Sequence, residues 1–280
     1  MKSGLPWGAS SATQIGEADV IILGIPFDGA VSNEKGAAIA PDRLRELSRI
    51  LPLATEEGAV FHDLKIRDEG NVSIHLNWEQ YFANVNKRSN DIINQNKFCL
   101  FLGGDHLVSI PLESAFARAH DGENIGIIHL DAHCDLADEY DGHKWSHACT
   151  QRRALELANV KPENLTLVGI RSFMEDELEF LHEHPSICVI KAREIYQHGL
   201  EYTFKKISER YQNCLTVYLS LDIDILDPAY APGTGTPEGG GLSTWELMEQ
   251  VRKIIANLLA KAADIVEVSP PLDSIRSLEN

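Results

Sequence analysis

Ile125-Gly126-Ile127-Ile128-His129-Leu130 runs directly into Asp131-Ala132-His133-Cys134-Asp135. The first part is a nearly unbroken apolar run, as expected of a strand covered on both faces, and it gives way at once to charge. Runs of this kind are predicted at Asp19–Ile25, Phe98–Leu102, Ile125–Asp131, Leu165–Ile170, Ile187–Lys191, Thr216–Asp222 and Asp264–Val268. Between them the apolar spacing predicts helices. One is opened by Pro41-Asp42 and runs through Leu44 and Leu47. The others are Asn77–Asn96, Ser109–His120, Ser146–Asn159, Met174–His184, Leu200–Gln212 and Ser243–Lys261. Ser243 and Glu246 have the spacing of a capping box. Strand and helix alternate throughout, so the expectation is an α/β fold. It would be a three-layer αβα arrangement with a mostly parallel central sheet, formed as one domain over residues 1–280. Pro228–Gly241, rich in Gly and Pro, lies between a strand and a helix and is read as a loop.

Composition narrows the partners. Against 25 Lys and Arg stand 42 Asp and Glu, a formal charge of -17. That balance repels phosphate backbones and anionic headgroups, which argues against nucleic acid and membrane surfaces and favours a small cation. Cys99, Cys134, Cys149, Cys188 and Cys214 form no CxxC pair, which argues against a disulfide framework and a zinc–cysteine site. The opening Met1–Trp7 leads into no apolar signal core. The longest apolar stretch, Val20–Phe27, is too short to cross a bilayer and contains Pro26. A cytoplasmic protein is expected.

Ligands of open α/β sheets bind beyond the carboxyl ends of the strands. Three predicted strands end in candidate metal ligands: at Gly103-Gly104-Asp105-His106, at Asp131-Ala132-His133-Cys134-Asp135 and at Asp222-Ile223-Asp224. Period-2 geometry would set Asp131, His133 and Asp135 on one side of an extended segment, and Asp222 and Asp224 likewise. Singly, such motifs are ordinarily solvated turns or caps. Together they give six candidate ligands: His106, Asp131, His133, Asp135, Asp222 and Asp224. Four carboxylates with two imidazoles form a hard, oxygen-rich set that suits Mn²⁺ better than a structural zinc. Four carboxylates exceed the needs of one divalent cation and would repel one another without cations, so a pair of ions is expected.

At these motifs the chain resembles the ureohydrolase (arginase/agmatinase) family, and especially its agmatinases. The resemblance rests on Ala18–Asp28, on the two motifs containing His106 and Asp131, on Ser220–Pro228, and on Ala229–Gly240. It implies an arginase/deacetylase-like fold with two Mn²⁺ per subunit. One ion would be held by His106, Asp131, Asp135 and Asp222, the other by His133, Asp131, Asp222 and Asp224. A hydroxide bridging the ions would attack a guanidino carbon. His147 would then correspond to the proton shuttle, and Glu267 to the residue that holds the guanidinium. Trimers or hexamers of identical subunits are implied as well. Apart from the resemblance, His147 reads as a polar neighbour of a helix start. Glu267, set within an apolar run, needs a cation or a proton, and an Arg or Lys of the protein is the alternative partner. His129 reads as a sheet histidine or a group behind the ligands. His62, His75, His120, His182, His184 and His198 read as surface or loop residues, and Cys134 as packing.

The loop Leu136–Trp145 carries Asp138, Glu139 and Asp141, which would repel a carboxylate and suit a bare amine. Agmatine, giving putrescine and urea, is the leading substrate. Guanidinobutyrate, arginine, a formimino compound such as formiminoglutamate, and a catalytically silent binding or assembly subunit are the alternatives. A deacetylase relative would use a single zinc and fewer carboxylates. Family members continue into a further helix after the segment matching Glu267–Pro271, whereas only Leu272–Asn280 follow here. Altered assembly or activity is the corresponding expectation.

Overall fold

The computed structural model describes residues 7, 10–11, 14–50, 54–61, 63–214 and 216–273. His62 and the last residues of the chain, 274–280, lie outside them. Among the described residues the strands are β1 (Ser10–Ser11), β2 (Val20–Gly24), β3 (Lys65–Asn71), β4 (Phe98–Leu102), β5 (Ile125–Leu130), β6 (Val160–Ile170), β7 (Cys188–Lys191), β8 (Thr216–Asp222) and β9 (Ala260–Val266). They form one sheet in the order β1-β3-β2-β4-β9-β8-β5-β6-β7, with every pairing parallel. The helices are α1 (Ala40–Ser48), α2 (Trp78–Ile93), α3 (Ser109–Ala119), α4 (Thr150–Ala154), α5 (Glu175–Glu183), α6 (Ala192–Arg210) and α7 (Thr244–Asn257).

Alternation along the strands sorts side chains into two apolar layers. Ile125 and Ile127 of β5 and Tyr218 of β8 pack with Tyr81 and Val85 of α2 and Leu112 and Phe116 of α3. Ile128 and Leu130, with Val217 and Leu219, pack with Ile195 and Ile207 of α6 and Leu247 and Ile254 of α7. The three-layer αβα arrangement is the one the alternation of elements predicts. No helix among the described residues is long and apolar enough to cross a membrane.

Some boundaries differ from expectation for local reasons. Polar, half-buried β3 lies near the sheet edge and carries no apolar run to announce it. Ala260 and Lys261 read as the end of a helix, which both residues favour, yet they open β9. Ser146–Asn159 is not one helix but a 3-10 turn (His147–Cys149), then α4, then turns. Helical structure begins at Ala192 rather than Leu200, with a break at Gly199 (φ 83°).

In the sheet order β4, β9, β8 and β5 are neighbours, so their carboxyl ends deliver four loops to one place at the middle of the sheet. The loop after β4 passes tightly under Phe27, whose carbonyl accepts the Asp105 N–H at 2.7 Å. A Cβ on Gly104 would lie 1.7 Å from that carbonyl oxygen. Gly104→Ala therefore cannot be absorbed by a side-chain adjustment. It should cost about 1–3 kcal/mol or more in denaturant unfolding, whereas an unchanged midpoint would refute this packing.

Candidate metal centre and its cavity

His106 stands in a 3-10 turn (His106–Val108) between β4 and α3. Its Nε2 lies 3.0 Å from Ser220 Oγ, and Ser220 Oγ donates to Asp264 Oδ1 at 2.9 Å. The one hydroxyl proton is thus committed to Asp264, so Nε2 must be the donor and carry the ring proton. Nδ1 is left with a lone pair aimed at Asp131 Oδ2 (3.2 Å), Asp135 Oδ2 (3.1 Å) and Asp222 Oδ2 (3.1 Å). Burial opposes a charge on His106, but Asp135 foremost, with Asp131 and Asp222, raises its pKa well above the ordinary value. A second ring proton could serve only one of these oxygens. A cation serves all of them together with Nδ1, and neither Nδ1 nor Asp131 Oδ2 has a hydrogen-bond partner.

A second cluster adjoins the first. His133 Nδ1 lies 2.9 Å from Asp224 Oδ2 and 3.4 Å from Asp131 Oδ1, and its Nε2 is 3.7 Å from Glu238 Oε1. Two groups have donor atoms close enough to share an ion: His106, His129, Asp131 and Asp135, and Asp131, His133 and Asp224. They have Asp131 in common. Asp222 belongs to neither group, although its Oδ2 faces His106. Burial, then Asp224 and Asp131, raises Asp222 well above the carboxylate range, and burial with Asp131 raises Asp224. Asp131 is also penalised by burial, yet His129, His106 and His133 hold it well below that range. The donors are carboxylate oxygens and imidazoles, the set that binds hard divalent cations, and they fit a metal centre.

The route to this geometry corrects the sequence reading. β5 ends at Leu130, Asp135 has φ 53°, and Asp224 lies in a 3-10 turn (Ile223–Ile225). Beyond Leu130 and Asp222 the segments are not extended. Instead each aspartate accepts the backbone N–H two residues on: Asp131 Oδ1 from His133 (2.5 Å), Asp222 Oδ1 from Asp224 (2.8 Å) and Asp105 Oδ1 from Leu107 (3.2 Å). These are Asx turns. His129 points from β5 at Asp131, with Nε2 3.1 Å from Oδ2, and its ring stacks on His106 with centroids 5.0 Å apart. Cys134 is buried in the apolar layer, as packing requires.

Glu267 is not inside a strand either. It follows β9 in the left-handed region (φ 59°), donates its N–H to Gly104 O and accepts the His106 N–H on Oε1 at 2.7 Å. Burial, reinforced by Asp105, pushes its carboxyl up to about 8. It lines a cavity of about 150 Å³ together with His106, His133, Asp135, Asp222 and His147. Burial lowers the His147 pKa, with Asp135 opposing, so the ring is neutral near pH 7.

The acidic loop is oriented otherwise than expected. Asp138 pairs with Arg153 (2.8 Å) and Lys144 (3.3 Å), and Tyr140 is the loop side chain that lines the cavity, near Phe173 and Met174. Sequence reasoning also missed Arg171. Its guanidinium donates to the carbonyls of Gly169, Asp224, Ile225, Leu226 and Glu238, pinning the Asp224 turn beneath the Glu238 loop. The available signal was an arginine placed directly after an apolar run.

The chain is similar to known proteins. The family model described as "Arginase family" matches residues 18–278. The agmatinase of Bacillus subtilis is 35% identical over 271 residues, 94% of this chain and 88% of that one. A guanidinobutyrase of Pseudomonas aeruginosa is 33% identical over 269 residues, 94% of this chain and 83% of that one. The crystal structure of a putative agmatinase from Clostridium difficile superposes with a TM-score of 0.82 at 31% identity, covering 94% of this chain and 92% of that one. The chain therefore belongs to the arginase family, as an enzyme of its agmatinase-like ureohydrolase branch.

Proposed function

We propose that this chain hydrolyses agmatine to putrescine and urea, using two Mn²⁺ ions. The carrying observation is the bare Nδ1 of His106 facing three carboxylate oxygens, beside a second imidazole cluster that shares Asp131. The ion on one side would be held by His106, Asp131, Asp135 and Asp222. The other would be held by His133, Asp131, Asp222 and Asp224, with Asp131 and Asp222 common to both. Such a pair would lower the pKa of a bound water and so supply hydroxide near neutral pH. The proposal takes residues 1–280 as one domain, cytoplasmic and assembled as a trimer or hexamer.

The remaining work falls to side chains. Glu267 receives the guanidinium by charged hydrogen bonds; its Oε1 is steadied by the His106 N–H, and the arriving cation offsets the burial of its charge. A new carbon–oxygen bond forms at the guanidino carbon while the carbon–nitrogen bond to the chain breaks. Neutral His147 takes the proton released by water and returns it to the departing amine. Tyr140, Phe173 and Met174 offer an apolar wall to the methylenes. Because Arg153 and Lys144 occupy Asp138, a guanidino acid is the second reading.

Urea release in the presence of Mn²⁺ separates the two: agmatine should exceed 4-guanidinobutyrate, and no preference for the amine would remove agmatinase. Glu267→Gln should lower kcat/KM for the preferred guanidine about ten- to hundredfold, the worth of a hydrogen bond to a charged group. His147→Asn should lower kcat by about 10²–10⁴-fold, the usual contribution of a proton-transfer group. Mn²⁺ at about 100 times its Kd should stabilise the fold by about 2.7 kcal/mol. A chain of this size would then gain roughly 5–10 °C in Tm. Asp131→Ala should abolish that gain; a gain that survives would place the ions elsewhere.

A further inference from the structure

Two hydrogen-bonded buried side chains, Glu113 and Gln151, each keep one oxygen without a donor. Glu113 on α3 and Gln151 in α4 are 1% and 0% exposed. Gln151 Nε2 donates to Glu113 Oε1 at 3.1 Å, while Glu113 Oε2 and Gln151 Oε1 have no hydrogen-bond partner. An ionised Glu113 would leave both oxygens stranded. It would also face Asp264 of β9 and Asp135 after β5, with His106 the group of opposite sign. The Tyr218 phenol of β8 also faces it, and the buried residues of α2 include no charged side chain. A single proton on Oε2, shared with Gln151 Oε1, closes a reciprocal acid–amide pair and satisfies both acceptors.

We propose that Glu113 is a positioning residue, held as a neutral acid in a reciprocal pair with Gln151. The pair ties α3, which follows His106, to the segment that fixes Asp135 and carries His147. In that segment Gln151 and Arg152 donate their N–H groups to Asp135 O at 3.0 and 3.2 Å, and Thr150 Oγ1 donates to Asp135 Oδ2 at 3.2 Å. Burial, with Asp264 next, pushes the Glu113 carboxyl up to about 8, in keeping with the geometry. The positioning role rests on the proposed function; the proton does not.

Glu113→Gln should preserve the pair as amide with amide, and Glu113→Leu should leave the Gln151 amide unpaired. At pH 7 the native chain should show a protonated-carboxyl C=O stretch in the infrared that Glu113→Gln lacks. The folded chain keeps a proton that the unfolded chain sheds above 4.5, so this group destabilises the fold progressively from about pH 4.5 to about pH 8. Thermal unfolding of the metal-free chain should therefore favour Glu113→Gln increasingly across that window and level off above it. In Mn²⁺ titrations Glu113→Leu should weaken binding about tenfold or more, while Glu113→Gln stays within about twofold. A missing band, a Tm difference that is flat with pH, or a Glu113→Gln as damaging as Glu113→Leu would each overturn the proposal. A chain that shows the band but releases no urea would sink the enzyme reading and uphold this one.

Discussion

Four carboxylates buried together at the carboxyl edge of the sheet set the terms for everything around them. Asp131, Asp135, Asp222 and Asp224 are each at most 5% exposed, and their ion-pair partners among the described residues are histidines. Two like charges about 4 Å apart repel by roughly 4 kcal/mol at an effective dielectric near 20. A few such pairs amount to the whole stability of a folded domain. Protons can relieve this only by pulling the carboxyls and imidazoles far from their ordinary ionisation, which is the direction His106, Asp222 and Asp224 take. Divalent cations relieve it while keeping every carboxylate charged. The sheet is what makes the arrangement affordable in backbone terms: parallel pairing places four loops on one edge with their backbones already fixed.

The six side chains named from the sequence meet at one edge of the sheet, through a local geometry that the sequence did not suggest. Spacing of two in Asp131-x-His133 and Asp222-x-Asp224 suggested extended strand ends. The same spacing is required by an Asx turn, in which the aspartate oxygen accepts the N–H two residues later. Each aspartate thereby offers one oxygen to its own turn and the other to the centre: Asp131 Oδ2 and Asp222 Oδ2 both face His106 Nδ1. The turn orients the ligand that the strand merely delivers.

Legibility followed burial. Strands β2, β4, β5 and β8, apolar on both faces, appeared in the sequence almost at their observed bounds, because two covering layers leave no choice of residue. β3 was missed since an edge position tolerates Lys65, Arg67 and Asp68. Glu267 was found but misplaced, because nothing in Asp264–Val268 announces that the strand stops at Val266, two residues early, and turns into the left-handed region at Glu267. Arg171, Asp264 and the Glu113–Gln151 pair act through contacts more than thirty residues away in the chain. Such partners leave no mark in local spacing.

The same distinction explains why the chemistry was easier to read than the substrate. The candidate ligands sit within a few residues of strand ends, and their neighbours are dictated by turn geometry and burial. The cavity wall is built from Tyr140, Phe173 and Met174, which lie in the loops that follow β5 and β6. Asp138 illustrates the consequence: its charge suggested an amine receptor, yet Arg153, eleven residues beyond Gly142 and on another element, claims it. A loop can exchange such a partner without disturbing Asp131 or His106, since neither depends on it. Hydrolysis and substrate choice are thus carried by separable parts of the fold, and a change in the second need leave no trace in the motifs of the first.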